Sequence, residues 1–268
     1  MNGKVVIITG GSSGIGRACA FRFAKAGASV VISARSEAKL REVEQELIAQ
    51  GASVLAIVGD VSSEADCQRL MDETMNRFGR IDILINNAGI SMRALFKDLE
   101  LDVIRQLMEV NFFGTVYCTK YAMAQLLKNE GSVVGVSSIA GFQGLPGRTG
   151  YSASKFAMQG FLDALRVENL KTGLHVMTVC PGYTESNIRN VALTADGSLQ
   201  GASPREEKKM MSSEEVANHV FNGVVQRKRE VVLTAQGKLA ALLRKFLPSI
   251  VDKMVFDALA KEPNSPIG

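Results

Sequence analysis

Tyr151 and Lys155 stand at i and i+4 in the run "RTGYSASKFAMQGFLDALRVE", with only small residues between them. On a helix this spacing puts the phenol and the amine on one face, one turn apart. A free phenol titrates at a pKa of about 10 and is a slow proton donor at neutral pH. A neighbouring ammonium favours the phenolate and lowers that value; roughly 4 kcal/mol of differential stabilisation would bring it to about 7. The pair therefore predicts an acid matched to neutral pH. Ser138 ends an apolar run upstream and offers a hydroxyl that can hydrogen-bond a carbonyl oxygen. A carbonyl held between Ser138 and Tyr151 is polarised for attack at carbon by hydride. A lone Tyr–Lys pair at this spacing is commonly a pair of surface neighbours, so the serine gives the set its chemical meaning.

Such a set needs a rigid frame. Short apolar, β-branched runs alternate with helical stretches: "KVVIIT" (4–9), "ASVVISA" (28–34), "ASVLAIVGD" (52–60), "IDILINN" (81–87), "GSVVGVSS" (131–138), "LHVMTVC" (174–180) and "EVVLT" (230–234). Near-continuous apolarity predicts strands covered on both faces. The alternation predicts right-handed crossovers and an α/β, Rossmann-type doubly wound parallel sheet of about seven strands flanked by helices. One of these helices spans roughly 100–128 and another carries the Tyr–Lys pair. Ligands of such sheets bind beyond the carboxyl ends of the strands, and the polar and Gly-rich residues sit at those ends. Residues 1–236 read as a single dinucleotide-binding and catalytic domain, with a substrate loop at about 185–212. Residues 237–268 read as an amphipathic extension broken at Pro248.

The first joint, "TGGSSGIG" (9–16), carries Gly10, Gly14 and Gly16 around Ser12, Ser13 and Ile15. Glycines let the backbone approach a pyrophosphate closely, and the next helix offers its N-terminal N–H groups. At the second strand's end stands Ala34–Arg35–Ser36, where a fold preferring NAD usually has an acidic residue. A guanidinium there can pair with a 2′-phosphate, with Arg17 as a second positive charge, although either arginine could be merely solvated. The expected cofactor is NADP(H). Asp60–Val61 suits the adenine edge and face, and "NNAG" (Asn86, Asn87, Ala88, Gly89) suits the adenosine side; either could also be a plain strand-to-helix turn.

These motifs, in this order, resemble the short-chain dehydrogenases/reductases over about residues 3–185. "TGGSSGIG" matches that family's TGxxxGxG motif and "NNAG" its motif on the fourth strand. The resemblance implies that Asn111, Ser138, Tyr151 and Lys155 are catalytic, the Asn supporting a water-linked proton path to the Lys, which also holds the nicotinamide ribose. It puts Arg35 on the position marking NADP(H) preference, Asp60 on the adenine-contacting position and Ile90 in the cofactor cleft. Pro181–Gly182 falls on the turn that contacts the nicotinamide, and Thr184 or Ser186 on the residue that binds its carboxamide. "SSGIGR…ISARS…YSASKFA" resembles the branch of 11-beta-hydroxysteroid dehydrogenases and 3-ketodihydrosphingosine reductases, which implies a lipophilic carbonyl or alcohol substrate. Homodimers or homotetramers built on the helices near 100–128 and 151–171 are also implied.

Composition fits this. Hydrophobic residues make up 46% and charged residues 22% of 268, which excludes a disordered chain. The net charge of +4 is scattered, so nucleic acid is not an expected partner. Four separated cysteines without a CxxC pair suggest buried thiols, and two isolated histidines offer no metal site. With no signal-peptide pattern and no apolar stretch of about 18 residues, the expected location is cytoplasmic. In the extension, Leu239, Leu242, Leu243, Phe246 and Leu247 fit one helical face and Ile250, Val251, Met254, Val255, Ala258 and Leu259 another; Lys238, Arg244 and Lys245 lie among them. These faces suit packing on the body or a second subunit, a pocket lid, or peripheral contact with anionic lipid. Two readings compete with the enzyme: a sensor or regulatory protein that binds NADPH without turnover, and a lipid-binding module. The proton-donor set argues against both.

Overall fold

Residues 1–185, 188–201, 210–244, 246–263 and 265–267 are described by a computed structural model, side chains at 235, 236, 240 and 241 excepted. Strands and helices alternate as β1 Val5–Thr9, α1 Gly14–Lys25, β2 Ser29–Ala34, α2 Glu37–Ala49, β3 Val54–Val58, α3 Glu64–Phe78, β4 Ile83–Asn86, α4 Leu101–Met108, α5 Gly114–Lys128, β5 Ser132–Val136, α6 Thr149–Glu168, β6 His175–Cys180, α7 Ser213–Val225, β7 Glu230–Val232, α8 Ala235–Leu243 and α9 Pro248–Ala260. The seven strands form one parallel sheet in the order β3-β2-β1-β4-β5-β6-β7. The expected doubly wound α/β architecture is the one found.

Alternation along β1 explains the two covered faces. Val6 and Ile8 point into a core shared with α1, α2 and α7, whereas Val5 and Ile7 point into one shared with α3, α5 and α6. All four are essentially inaccessible, which is why the strand reads as a continuous apolar run. The chain order reverses between β1 and β4, and ligands of such sheets bind at the crevice this opens.

Three features refine the expected elements. The helical region near 100–128 is divided by a π-helical turn, Glu109–Phe113, that contains Asn111. Such turns are rare and often sit at functional sites. Helix α7 follows the segment 185–212 expected as a substrate loop, of which residues 186, 187 and 202–209 lie outside the described residues. Its capping box joins Ser212 and Glu215, two residues whose spacing is the usual start signal of a helix. In the extension, Pro248 begins α9 at a position where its missing N–H is harmless.

Candidate active site

The first joint is tied to the segment that follows β4 through the side chains of Thr9 and Asn87. Thr9 Oγ1 accepts from the backbone N–H of Asn87 and Ala88, both at 3.1 Å, and Asn87 Nδ2 donates to the Thr9 carbonyl at 3.0 Å. Gly10 turns with φ 66°, and a Cβ there would lie 2.9 Å from Ala88 Cα. A Cβ on Gly16 would lie 2.2 Å from the Gly10 carbonyl oxygen, so this glycine packs the helix onto the loop and does not itself line the cleft. The resulting cavity runs along the carboxyl edge of the sheet. Gly10, Ser12, Ser13, Gly14 and Ile15 line one part, and Arg35, Ser36, Asp60 and Val61 the end beyond β2 and β3. Asn87, Ala88, Gly89 and Ile90 line its middle, and Tyr151, Lys155, Pro181, Gly182 and Thr184 its far end. Ser186 lies outside the described residues.

Arg17 is not where the sequence reading put it. Its guanidinium pairs with Glu46 on α2 and stacks over Phe21, 4.6 Å from the ring centroid, away from the cleft. The second basic residue lining the cleft beyond β2 is Lys39, in the first turns of α2. Arg35 is 67% exposed with its nearest carboxylate, Asp60, 3.8 Å away, so its charge is available to an anion. The cleft fits a dinucleotide: glycine backbone and a helix N-terminus at its centre, two cations beyond β2, and at Gly89 room that a Cβ would fill only 3.5 Å from Lys155 Nζ.

At the far end, α6 begins one residue after Arg148 and carries both Tyr151 and Lys155. Ser138 and Tyr151 both line the cleft at this end. Burial raises the Tyr151 pKa above 10, while the neighbouring Ser138 hydroxyl and the charge of Arg148 pull it back in part. The expected lowering by Lys155 is absent from this arrangement. Lys155 Nζ donates to the Val136 carbonyl at 2.9 Å and lies 5.8 Å from the Tyr151 ring centroid. Burial brings its own pKa down to about 8, which weakens it as a fixed positive charge. Asn111 is fully buried behind the cleft wall. It accepts from the Ile90 N–H at 2.8 Å, and its Nδ2 donates to the Ile90 carbonyl and to Ser154 Oγ.

A second cavity, of about 1100 Å³, meets the first at Ser138, Tyr151, Gly182, Ile188 and Arg189. Its walls include Ile139, Ala140, Leu145, Met210 and Met211, and also Val255, Ala258 and Leu259 of α9. The extension therefore forms part of a site wall. It docks by sparse means: Val251 and Leu259 are the buried residues among those described in α9. Two aliphatic side chains supply roughly 3–6 kcal/mol, little against a backbone ordering cost of about 1–2 kcal/mol per residue. Polar anchors add to them, Gln143 Nε2 to Asp252 at 3.0 Å and a buried Arg93–Glu262–Arg148 cluster.

Residues 4–196 match the family model described as short chain dehydrogenase. The chain belongs to that family. Among relatives of this short chain dehydrogenase is dehydrogenase/reductase SDR family member 7B of Mus musculus, 36% identical over 271 residues, covering 99% of this chain and 84% of the relative. Another is 11-beta-hydroxysteroid dehydrogenase A of Arachis hypogaea, 43% identical over 200 residues, covering 74% of this chain and 57% of the relative. Two solved structures share the fold. One is a short chain dehydrogenase/reductase from Burkholderia phymatum in complex with NAD, with a TM-score of 0.83, 24% identity and coverage of 93% of this chain and 95% of that one. The other is an alcohol dehydrogenase from the archaeon Thermococcus sibiricus complexed with 5-hydroxy-NADP, with a TM-score of 0.76, 24% identity and coverage of 86% and 95%. The short chain dehydrogenase is thus an oxidoreductase of the class that acts on CH–OH groups. Among its described helices, none is long and apolar enough to cross a membrane.

Proposed function

We propose that this protein is an NADP(H)-dependent oxidoreductase that interconverts a ketone and a secondary alcohol on a lipophilic, steroid- or lipid-like substrate. The observation that carries this reading is the meeting of a polar, glycine-lined cleft with a large apolar-walled cavity at Ser138 and Tyr151. A bound nicotinamide supplies or removes the hydride at the substrate carbon. Ser138 and Tyr151 hold the carbonyl oxygen, polarising the carbon. In reduction, the Tyr151 O–H proton passes to that oxygen as the carbon is reduced, leaving a phenolate that the charge of Arg148 favours. Burial keeps the phenol protonated at neutral pH, the form a donor needs. Asn111 fixes Ile90 at the cleft wall and Ser154 on α6, which supports the geometry of both catalytic side chains.

Preference for the 2′-phosphorylated cofactor rests on Arg35 and Lys39. The apolar walls, and relatives named for hydroxysteroids, support a lipophilic substrate. Leu239, Leu242, Phe246, Ile250, Met254 and Phe256 are exposed on or between α8 and α9, with Lys238 and Lys253 exposed among them. This surface suits peripheral contact with anionic lipid, from which such a substrate would enter. The test is NADPH and NADH consumption with a panel of steroid and long-chain ketones. Ketone-dependent oxidation of NADPH in preference to NADH supports the reading; saturable NADPH binding with no carbonyl reduced would point instead to a sensor.

A further inference from the structure

Glu262 lies two residues beyond the last residue of α9 and is 4% exposed, although it is a carboxylate near the chain's end. Its Oε2 stands 3.6 Å from Arg93 and 3.4 Å from Arg148, guanidiniums that are each only 11% exposed. Arg93 also donates to the Pro263 carbonyl at 2.8 Å. The two arginines come from separate parts of the body. Arg93 follows β4, in a segment whose next residue, Ala94, bonds Gly147 through its backbone at 3.0 Å. Arg148 immediately precedes α6, one turn before Tyr151. A single carboxylate of the extension therefore joins α9 to the two segments that frame the proton donor, and Arg148 and Glu262 both face the apolar cavity that α9 walls.

We infer that Glu262 is a positioning residue: by bridging Arg93 and Arg148 it latches α9 as the outer wall of the apolar cavity, so that selectivity for bulky apolar carbonyls resides in the extension. The inference rests on the carbonyl reductase reading for its substrates, and on geometry alone for the latch. Removing the carboxylate leaves two poorly solvated guanidiniums without their common partner. Because α9 has little buried apolar surface of its own, the helix loosens before the sheet does. A small substrate needs only the Ser138–Tyr151 end, whereas a four-ring substrate also needs the Val255 and Leu259 wall.

The experiment compares wild type, Glu262→Gln and Glu262→Asp with NADPH and two ketones, cyclohexanone and testosterone, alongside amide hydrogen exchange over residues 248–263. Glu262→Gln is expected to lower kcat/KM for testosterone at least about 10-fold more than for cyclohexanone, chiefly through KM, on the scale of lost pocket contacts. Exchange in α9 is expected to quicken while NADPH affinity holds, and Glu262→Asp, which keeps the charge, should recover part of both effects. An equal fall with both ketones, or unchanged exchange in α9, would overturn the latch. Wild-type turnover of cyclohexanone but not testosterone would overturn the selectivity. If wild type reduces no carbonyl, the enzyme reading fails, and hydrogen exchange alone then decides the latch.

Discussion

At the scale of single residues, three cations carry predictions. Lys155 titrates at about 8 in the ligand-free enzyme because burial disfavours its charge. It is an ammonium below that pH and a neutral amine above it. Since kcat/KM for NADPH reports groups of the free enzyme, its profile is expected to bend downward as pH rises through about 8, and Lys155→Met should abolish the bend along with most activity. A profile flat from pH 6 to 9 in the wild type would remove Lys155 from cofactor capture. Arg35 and Lys39 line the cleft beyond β2. Arg35→Ala is expected to weaken NADPH binding about 10-fold, some 1.4 kcal/mol, and to leave NADH binding within about 2-fold. Lys39→Ala should do the same to a lesser degree, measured by titration of the reduced nicotinamide's fluorescence in a chain with no Trp. Equal losses for both cofactors would show that these side chains do not read the 2′-phosphate.

At the scale of elements, the tightest joint is α1 against its own loop. Replacing a helical glycine by alanine ordinarily stabilises by about 1 kcal/mol. Gly16→Ala is expected to do the opposite, because the new methyl would meet the Gly10 carbonyl oxygen, which is backbone and cannot swing aside. A loss of about 1–3 kcal/mol, the range for overpacking, should appear in urea unfolding together with weakened NADPH binding. Elements of this kind are legible in the sequence because they are locally written: strands from near-continuous apolar runs, and the Tyr151–Lys155 register from helix geometry. Contacts between elements are not. Arg17 looked like a phosphate ligand by its nearness to the Gly-rich loop, but helix phase turns it towards Glu46 on α2. Lys39 carries no sequence signal of its own, because its place at the cleft depends on how α2 lies across the sheet. The π turn around Asn111 left no pattern in residue types, although the helical stretch containing it did. The Tyr151–Lys155 spacing predicts a pKa-lowering pair, yet spacing says nothing of burial. Desolvation outweighs the neighbouring charges here, and the Val136 carbonyl takes the amine's hydrogen bond.

The whole molecule joins two functions along one edge of the sheet. The cleft on the carboxyl ends of the strands is closed by the body of the domain, whereas the apolar cavity beside it is completed by the extension. The amphipathic faces of that extension are thereby divided: Val255, Ala258 and Leu259 face the cavity, and Phe246, Ile250 and Met254 face outward. Outward residues can be changed without touching the core, so Phe246→Glu with Ile250→Glu should keep the thermal midpoint within a few degrees. The same pair is expected to abolish co-sedimentation with vesicles of phosphatidylcholine and phosphatidylserine. Unaltered vesicle binding, or none in the wild type, would confine the extension to its role as a wall.

The claim on which the rest depends is that Tyr151 donates the proton where the two cavities meet. The direct measurement is turnover of a ketone by wild type and Tyr151→Phe at saturating NADPH, with NADPH affinity measured on the same samples. Loss of the donor is expected to slow turnover by at least about 100-fold, the scale of general acid catalysis, with NADPH affinity unchanged. Turnover within a few-fold of wild type would contradict the account, because a phenylalanine there has no proton to give.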